Sequence, residues 1–275
     1  MLKPNTKRKP VKKALLVGIN KYRPDLNADL RGCVNDVENM RHMLIKLFGF
    51  KPENIRVIID ERATRHNIIK RLRWLLKGAR KGDELVFHYS GHGSQIRDRN
   101  GDELDDQLDE ILCPHDLDWE RPLSDDILAK IFKKLPKGVN LTMLCDSCHS
   151  GTMTRGLDNP IYRAPRFITP PFDIRCRSLG REVPTRRMGK KPKGSQRHVL
   201  LSGCMDYQTS ADAYINNVYQ GAFTWAFTSA VKDNPNITWR EAHKEVLTKL
   251  GGYPQQPQLS GDKSLLDRKV FGGKV

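Results

Sequence analysis

The sequence predicts an α/β protein, a three-layer α/β/α sandwich with a mostly parallel central sheet. Strongly apolar runs of strand length alternate with segments of helical periodicity along most of the 275 residues. Alternation of this kind gives parallel strands covered by helices on both faces. The chain is also long enough for one large domain with a full core.

The elements follow in order. Residues 13–19 read as a strand. Val37, Met40, Leu44 and Leu47 share one face of a helix over 35–47, with Asn35 or Asp36 as its cap. A second strand covers 55–59. A helix over 64–77 has Thr64 as cap and Ile68, Leu72, Leu75 and Leu76 on its apolar face. Residues 84–88 form a third strand, 124–135 a helix capped by Ser124 or Asp125, and 139–144 a fourth strand. Between 151 and 196 the pattern stops in a stretch rich in Pro, Arg, Lys and Gly, which suits a functional loop or a linker. It resumes with a strand over 198–202, helices over 221–231 and 239–250, and a closing strand over 269–271. The chain divides into a basic arm (1–12), a large subdomain (13–155), a basic loop (156–197) and a small subdomain (198–275).

Charge is unevenly placed. The net formal charge is +16; residues 1–13 carry six Lys and Arg without an acid, and 175–197 carry nine against Glu182 alone. Basic tails and loops of this kind are expected to be solvated or cleavable, and no nucleic-acid recognition motif accompanies them. Residues 98–126 are the reverse, with twelve Asp and Glu against Arg99 and Arg121. That stretch is either a solvated loop or a place where something cationic binds. No apolar run approaches the roughly 20 residues of a membrane span. The N-terminus lacks the apolar core of a signal peptide. Six cysteines without framework spacing point to a reducing compartment, the cytoplasm.

Two short runs carry the chemistry. Tyr89-Ser90-Gly91-His92-Gly93 and Leu144-Cys145-Asp146-Ser147-Cys148-His149-Ser150-Gly151 each follow an apolar strand. His92 and Cys148 therefore stand at the C-terminal ends of two strands, where open α/β sheets place their sites. A thiol nucleophile and an imidazole that protonates the leaving amine are what a cysteine hydrolase needs. The N–H groups of Gly93 and Cys148 are placed to hold the oxyanion, since the glycines beside His92 let the backbone approach closely. His149 is the rival base, but it adjoins Cys148 and its side chain should point away. Cys145 and Cys148 also form a Cys-x-x-Cys pair, readable as a dithiol or half a zinc site, with no second pair to complete one. Asp146 lies two residues before Cys148, on the same side of the strand. Asp36 reaches the same sheet edge, unless it serves as the helix cap. Two carboxylates in one pocket would take an Arg or Lys side chain.

With the runs 14–20, 30–36, 202–204 and 208–212, these motifs resemble the metacaspases and bacterial caspase-like peptidases, in the family's order and over roughly 12–272. The resemblance implies the caspase fold and a cysteine endopeptidase with the His92–Cys148 dyad and the Gly93 and Cys148 amides. It implies a pocket lined by Cys33, Asp36, Ser90 and Asp146, and so protein or peptide substrates cut after Arg or Lys. It also implies calcium held by Asp109, Asp125 and Asp126. Calcium-dependent members carry a further acid where this chain has Arg155, which weakens the site or frees activity from calcium, with Asp158 as a substitute ligand. The run 98–102 alternates oxygen ligands but fails the EF-hand pattern, because Glu103 stands where Gly belongs. An enzyme of this specificity would find a dense set of substrates in its own loop, 155–197, so self-processing there is expected. The rival reading is a non-catalytic caspase-like scaffold or a nucleic-acid-binding module that uses the basic segments.

Overall fold

The computed structural model describes residues 8–97, 108–148, 163–176, 197–204, 210–253 and 255–275. In chain order the elements are β1 (Lys12–Gly18), α1 (Cys33–Phe48), β2 (Ile55–Ile59), α2 (Arg65–Leu76), β3 (Glu84–Ser90), β4 (Gly93–Arg97), β5 (Leu108–Leu112) and β6 (Leu123–Ser124). Then come α3 (Asp125–Phe132), β7 (Asn140–Asp146), β8 (Arg163–Pro165), α4 (Phe172–Cys176), β9 (His198–Ser202), β10 (Ala211–Ile215) and β11 (Val218–Gly221). The chain closes with α5 (Ala222–Asp233), α6 (Trp239–Lys249), β12 (Gln258–Ser260) and α7 (Lys263–Leu266).

Six strands form the central sheet in the order β12-β9-β7-β3-β1-β2. The β1–β2, β1–β3, β3–β7 and β7–β9 pairs are parallel, and β12 joins β9 antiparallel. One sheet thus runs through both expected subdomains. Side-chain alternation splits the core in two: Ala14 and Leu16 of β1 pack with α1, α5 and α6 residues such as Met40, Phe227 and Trp239. Leu15 and Val17 face Ile68, Leu72 and Phe132 of α2 and α3 on the other side. No helix among the described residues is long and apolar enough to cross a membrane.

Some local readings differ from the sequence expectation. Helix α1 starts at Cys33 behind Gly32, so neither Asn35 nor Asp36 caps it; it ends at Gly49, whose φ of 64° is the left-handed conformation a glycine adopts without strain. Thr64 does cap α2, accepting from the Asn67 N–H. The expected strand over 269–271 is instead the 3-10 turn Val270–Gly272, and β12 supplies the last sheet strand. The physical reason is burial: Phe271 is fully enclosed and packs edge-on against Phe48 and Trp239, which a sheet-edge position could not provide. Two small sheets, β4-β5-β6 and β11-β10-β8, were not expected. The first lies partly in the acidic stretch, where Ile111 and Leu112 turn inward on β5. The second draws β8 out of the stretch that looked unstructured.

Candidate active site

The site grows from the carboxyl ends of three parallel strands. Ser90 of β3 lies between Gly18 of β1 and Asp146 of β7 in register. Two residues beyond these strand ends stand His92 and Cys148. Their separation in sequence is erased by the pairing of the two strands.

His92 is 4% exposed. Its backbone N–H donates to the Tyr22 hydroxyl at 2.7 Å, and its carbonyl accepts from the Tyr89 hydroxyl at 2.7 Å. The Tyr22 ring packs on the imidazole at 4.9 Å between centroids. Nε2 lies 2.7 Å from the Ala28 carbonyl, which can only accept, so this nitrogen carries the proton. That leaves Nδ1 as a lone pair, buried and without a hydrogen-bond partner among the described residues. Burial pushes the His92 pKa down to about 4, although the Ala28 carbonyl works in the opposite direction. The ring is neutral, with its unprotonated nitrogen at Nδ1. The group that orients it is a backbone carbonyl, which has no side-chain signature in a sequence.

Cys148 is buried, and the Ser210 N–H donates to its Sγ at 2.5 Å. Cys204 lies beside it; a hydrogen bond with Cys148 and burial push the Cys204 thiol up. Cys145 stays on β7, its Sγ 3.0 Å from the Ser147 hydroxyl, and burial raises its pKa to about 12. Both Cys145 and Cys148 are free thiols. His149 lies outside the described residues.

The backbone N–H groups of Gly93 and Cys148 converge on one acceptor, the carbonyl of Arg166, at 3.0 and 3.1 Å. The same Arg166 fills the pocket that Cys33, Asp36, Ser90 and Asp146 surround. Nη2 donates to Asp36 Oδ2 at 2.8 Å and to Asp212 Oδ1 at 2.9 Å. Nη1 donates to the Ser90 hydroxyl at 2.8 Å and lies 3.2 Å from both the Asp146 carbonyl and Asp146 Oδ1. Arg166 is 0% exposed. Burial would lower its pKa, but Asp146, Cys33, Asp36 and Asp212 more than reverse this and keep it charged.

Each carboxylate is held by further donors. Asp146 accepts from the Thr224 N–H and hydroxyl and from the Ser210 hydroxyl. Asp36 accepts from the Ser90 hydroxyl and the Gly221 N–H, and Asp212 from the N–H groups of Arg31 and Gly32. Asp212 stood in a recognised run, but nothing in its spacing marked it as a third pocket carboxylate. Arg166 was hidden among many basic residues of an irregular stretch. Within 156–197, expected to be a functional loop or a linker, residues 163–167 pair with β10 and with Gly93.

The acids expected at a calcium site lie on β5 and at the start of α3, beside the paired strands β5 and β6. Asp109 is buried on β5, whereas Asp125 and Asp126 open α3, with Asp126 paired to Lys130 at 3.2 Å. Among the described residues no group of three or more His, Cys, Asp or Glu side chains could by itself hold a metal. Residues 98–107, Arg155 and Asp158 lie outside the described residues. An open cleft of about 1320 Å³ lined by Arg65, Trp74, Lys77 and Trp119 contains none of the expected site residues.

Comparison with known proteins follows the same lines. A family model described as metacaspase, peptidase C14 domain, matches residues 12–157. Metacaspase-1 of Meyerozyma guilliermondii is 35% identical over 288 residues, covering 90% of this chain and 69% of that protein. Metacaspase-1 of Coccidioides immitis is 36% identical, covering 90% of this chain and 61% of that protein. A crystal structure of a Geobacter sulfurreducens protein aligns with a TM-score of 0.70 at 26% identity, over 96% of this chain and 99% of that one. Caspase-1 of Spodoptera frugiperda shares the fold, with a TM-score of 0.62 at 14% identity, over 98% and 93% of the two chains.

The pocket wall offers a test of this packing. A Cβ on Gly221 would overlap the Asp146 carboxylate and the Arg166 guanidinium, both fully buried. Gly221→Ala is expected to destabilise the fold by about 1–3 kcal/mol, the usual range for overpacking, read as a lower urea midpoint at unchanged m-value. An unchanged midpoint would mean that the pocket is looser than described.

Proposed function

The chain belongs to the metacaspase family of cysteine peptidases, and from that premise we propose that it is an endopeptidase cutting proteins after arginine or lysine. One observation carries this reading: an arginine side chain sits in the carboxylate-lined pocket while its own carbonyl rests on the Gly93 and Cys148 amides. A bound substrate would present the same two groups.

In the proposed cycle the substrate strand lies along β10, and its basic side chain enters between Asp36, Asp146 and Asp212. The Cys148 thiol gives its proton to Nδ1 of His92 as Sγ attacks the carbonyl carbon. The Gly93 and Cys148 amides hold the oxyanion. His92 then passes the proton to the departing amine, and the C–N bond breaks. Water adds to the thioester, again with His92 as base, releasing the carboxylate product and the thiol. Three carboxylates spread over both terminal nitrogens suit a planar guanidinium at least as well as a compact ammonium.

Removing either half of the dyad removes the covalent route, which is worth many orders of magnitude in rate. Cys148→Ala and His92→Ala are each expected to abolish turnover of an Arg-terminated fluorogenic peptide while circular dichroism stays native. Arg peptides should turn over as fast as Lys peptides or faster, and Asp peptides not at all. A tenth of wild-type activity in Cys148→Ala, or a preference for Asp, would sink the reading.

The protonation state of His92 gives a pH test. Its pKa in the filled site is depressed to about 4, so the ring stays neutral, and able to accept the thiol proton, until the pH falls that far. The acid limb of kcat, which reports the occupied site, should therefore lie below the ordinary imidazole value of about 6.5. An inflection at or above that value would contradict a buried, neutral base.

Calcium enters the reading as a modulator outside the catalytic steps, with Asp109, Asp125 and Asp126 as its carboxylates. Arg155, at the place of a further acid, opposes a cation. Turnover is expected to persist in excess chelator, or to respond only to high-micromolar or millimolar calcium, roughly the weak end of protein sites. Sub-micromolar binding by calorimetry would overturn this.

A further inference from the structure

Helix α2 and its C-cap carry a row of cations that no ion pair uses among the described residues. Lys70, Arg73 and Lys77 are spaced i, i+3 and i+7, so they share one face, and all three are exposed. Arg71 stands beside them, and no carboxylate pairs with any of the four. They line an open cleft of about 1320 Å³, with apolar groups such as Ile69, Trp119 and Ile174 between the charges. Asp116 and Asp118 line the same cleft but are engaged. Asp116 accepts from the Arg65 N–H at 2.7 Å, and Asp118 pairs with Arg121 at 2.9 Å. The cleft therefore offers a surplus of positive charge on a partly apolar floor. It also adjoins the dyad. Arg23 lines it, one residue after Tyr22, whose ring packs on His92 at 4.9 Å. The chain that leaves the carboxylate pocket leads there too. The Ile168 N–H donates to the Gly93 carbonyl at 3.1 Å, and the Ser94 hydroxyl donates to the Ile168 carbonyl at 2.6 Å. Pro171 and Asp173, five and seven residues after Arg166, then line the cleft. Three residues of chain from Ile168 to Pro171 span at most about 10 Å. A peptide in the register of Arg166 thus reaches the cations with the residues that follow the cut, and this chain itself brings an aspartate to that place.

We propose that the cleft beside α2 is a second recognition site for protein substrates, taking an acidic, partly apolar segment that begins about five residues after the cleaved arginine or lysine. The assignment rests on the peptidase reading and adds to it a charge requirement remote from the cut. Two features make the occupant a peptide rather than a nucleic acid. Lys13 Nζ and the Arg56 guanidinium already lie over the Trp74 ring, at 5.2 and 5.1 Å, which leaves a base little face to stack on. Asp116, Asp118 and Glu120 line the same cleft, where a chain of phosphates charged at every step would meet repulsion. A peptide can place carboxylates against the cations alone. Contacts so far from the reacting carbonyl are the same in the ground state and the transition state, so they lower KM and leave kcat unchanged. Pairs between exposed charges are screened by salt, so the gain fades as ionic strength rises.

The experiment gives the full-length chain two quenched-fluorescence peptides of equal length, each with a single internal arginine. One carries Asp and Glu at the fifth to eighth positions after that arginine, the other Asn and Gln. Wild type is expected to show a KM about five- to tenfold lower for the acidic peptide at equal kcat, the scale of a few exposed ion pairs acting together. The difference should vanish in about 0.5 M salt. Lys70→Glu combined with Arg73→Glu should abolish or invert it. The same double variant should keep the wild-type urea midpoint and turn over a short Arg-terminated fluorogenic peptide, which has no residues beyond the cut, as fast as wild type. Equal KM values in wild type, a difference that survives in the double variant, or a difference confined to kcat would overturn the proposal and leave the peptidase reading standing. So would inhibition of acidic-peptide cleavage by a single-stranded oligonucleotide but not by the acidic segment added without its arginine. A wild type that cleaves neither long peptide nor the short one would overturn both readings.

Discussion

The arrangement of this molecule depends on three carboxylates around one guanidinium with no water between them. Asp36, Asp146 and Asp212 come from α1, β7 and β10, and Arg166 from the segment after β8; none is more than 2% exposed. Buried acids repel one another strongly at low dielectric, and removing one partner from a buried ion pair typically costs about 3–5 kcal/mol. Here three negative charges face one positive charge. At Asp36 burial raises the pKa to about 6, Arg166 opposes the rise and Asp146 adds to it. The remaining charge is held by the neutral donors Ser90, Ser210, Thr224 and Gly221. A pocket built this way is shaped for a cation, and a chain that leaves it empty must let water in.

Recognition and chemistry are coupled because they share strands. Ser90 ends β3 with His92 two residues on, and Asp146 ends β7 with Cys148 two residues on. The strand pairing of Ser90 with Asp146 thus fixes the distance from pocket to nucleophile. Fixed geometry of this kind lets a bound side chain position a carbonyl against a thiol. The tautomer of His92 comes from a different element, the loop carrying Ala28, and its ring is clamped by Tyr22 from the same loop. Gly221, at the start of α5, completes the wall only because it lacks a side chain.

Much of this was legible in the sequence. The parallel strands were readable because a strand covered on both faces must be apolar throughout, as in Leu15, Leu16 and Val17. The helices were readable from their apolar faces, and the α2 cap from Thr64. The gathering of His92, Gly93, Cys148, Asp36, Ser90 and Asp146 at one edge was readable because a parallel sheet brings its strand ends together. Less legible were the short strands β4, β8 and β10: β4 and β10 offer the core only a few apolar side chains, Ile96 on the first and Ala211, Ala213 and Ile215 on the second, and β8 is three residues long.

The sequence alone determined the layers, the edge on which the reactive groups stand, and the residue types that meet there, since these follow from periodicity and from chemistry local to each run. Only the tertiary structure decided which of many arginines enters the pocket, which third acid meets it, and which nitrogen of His92 carries the proton. Those outcomes turn on contacts between residues far apart in the chain: Arg166 with Asp36 across 130 positions, and His92 with the Ala28 carbonyl across 64. A carbonyl is the same at every residue, and one arginine reads like another. Their distinction lies in where folding puts them.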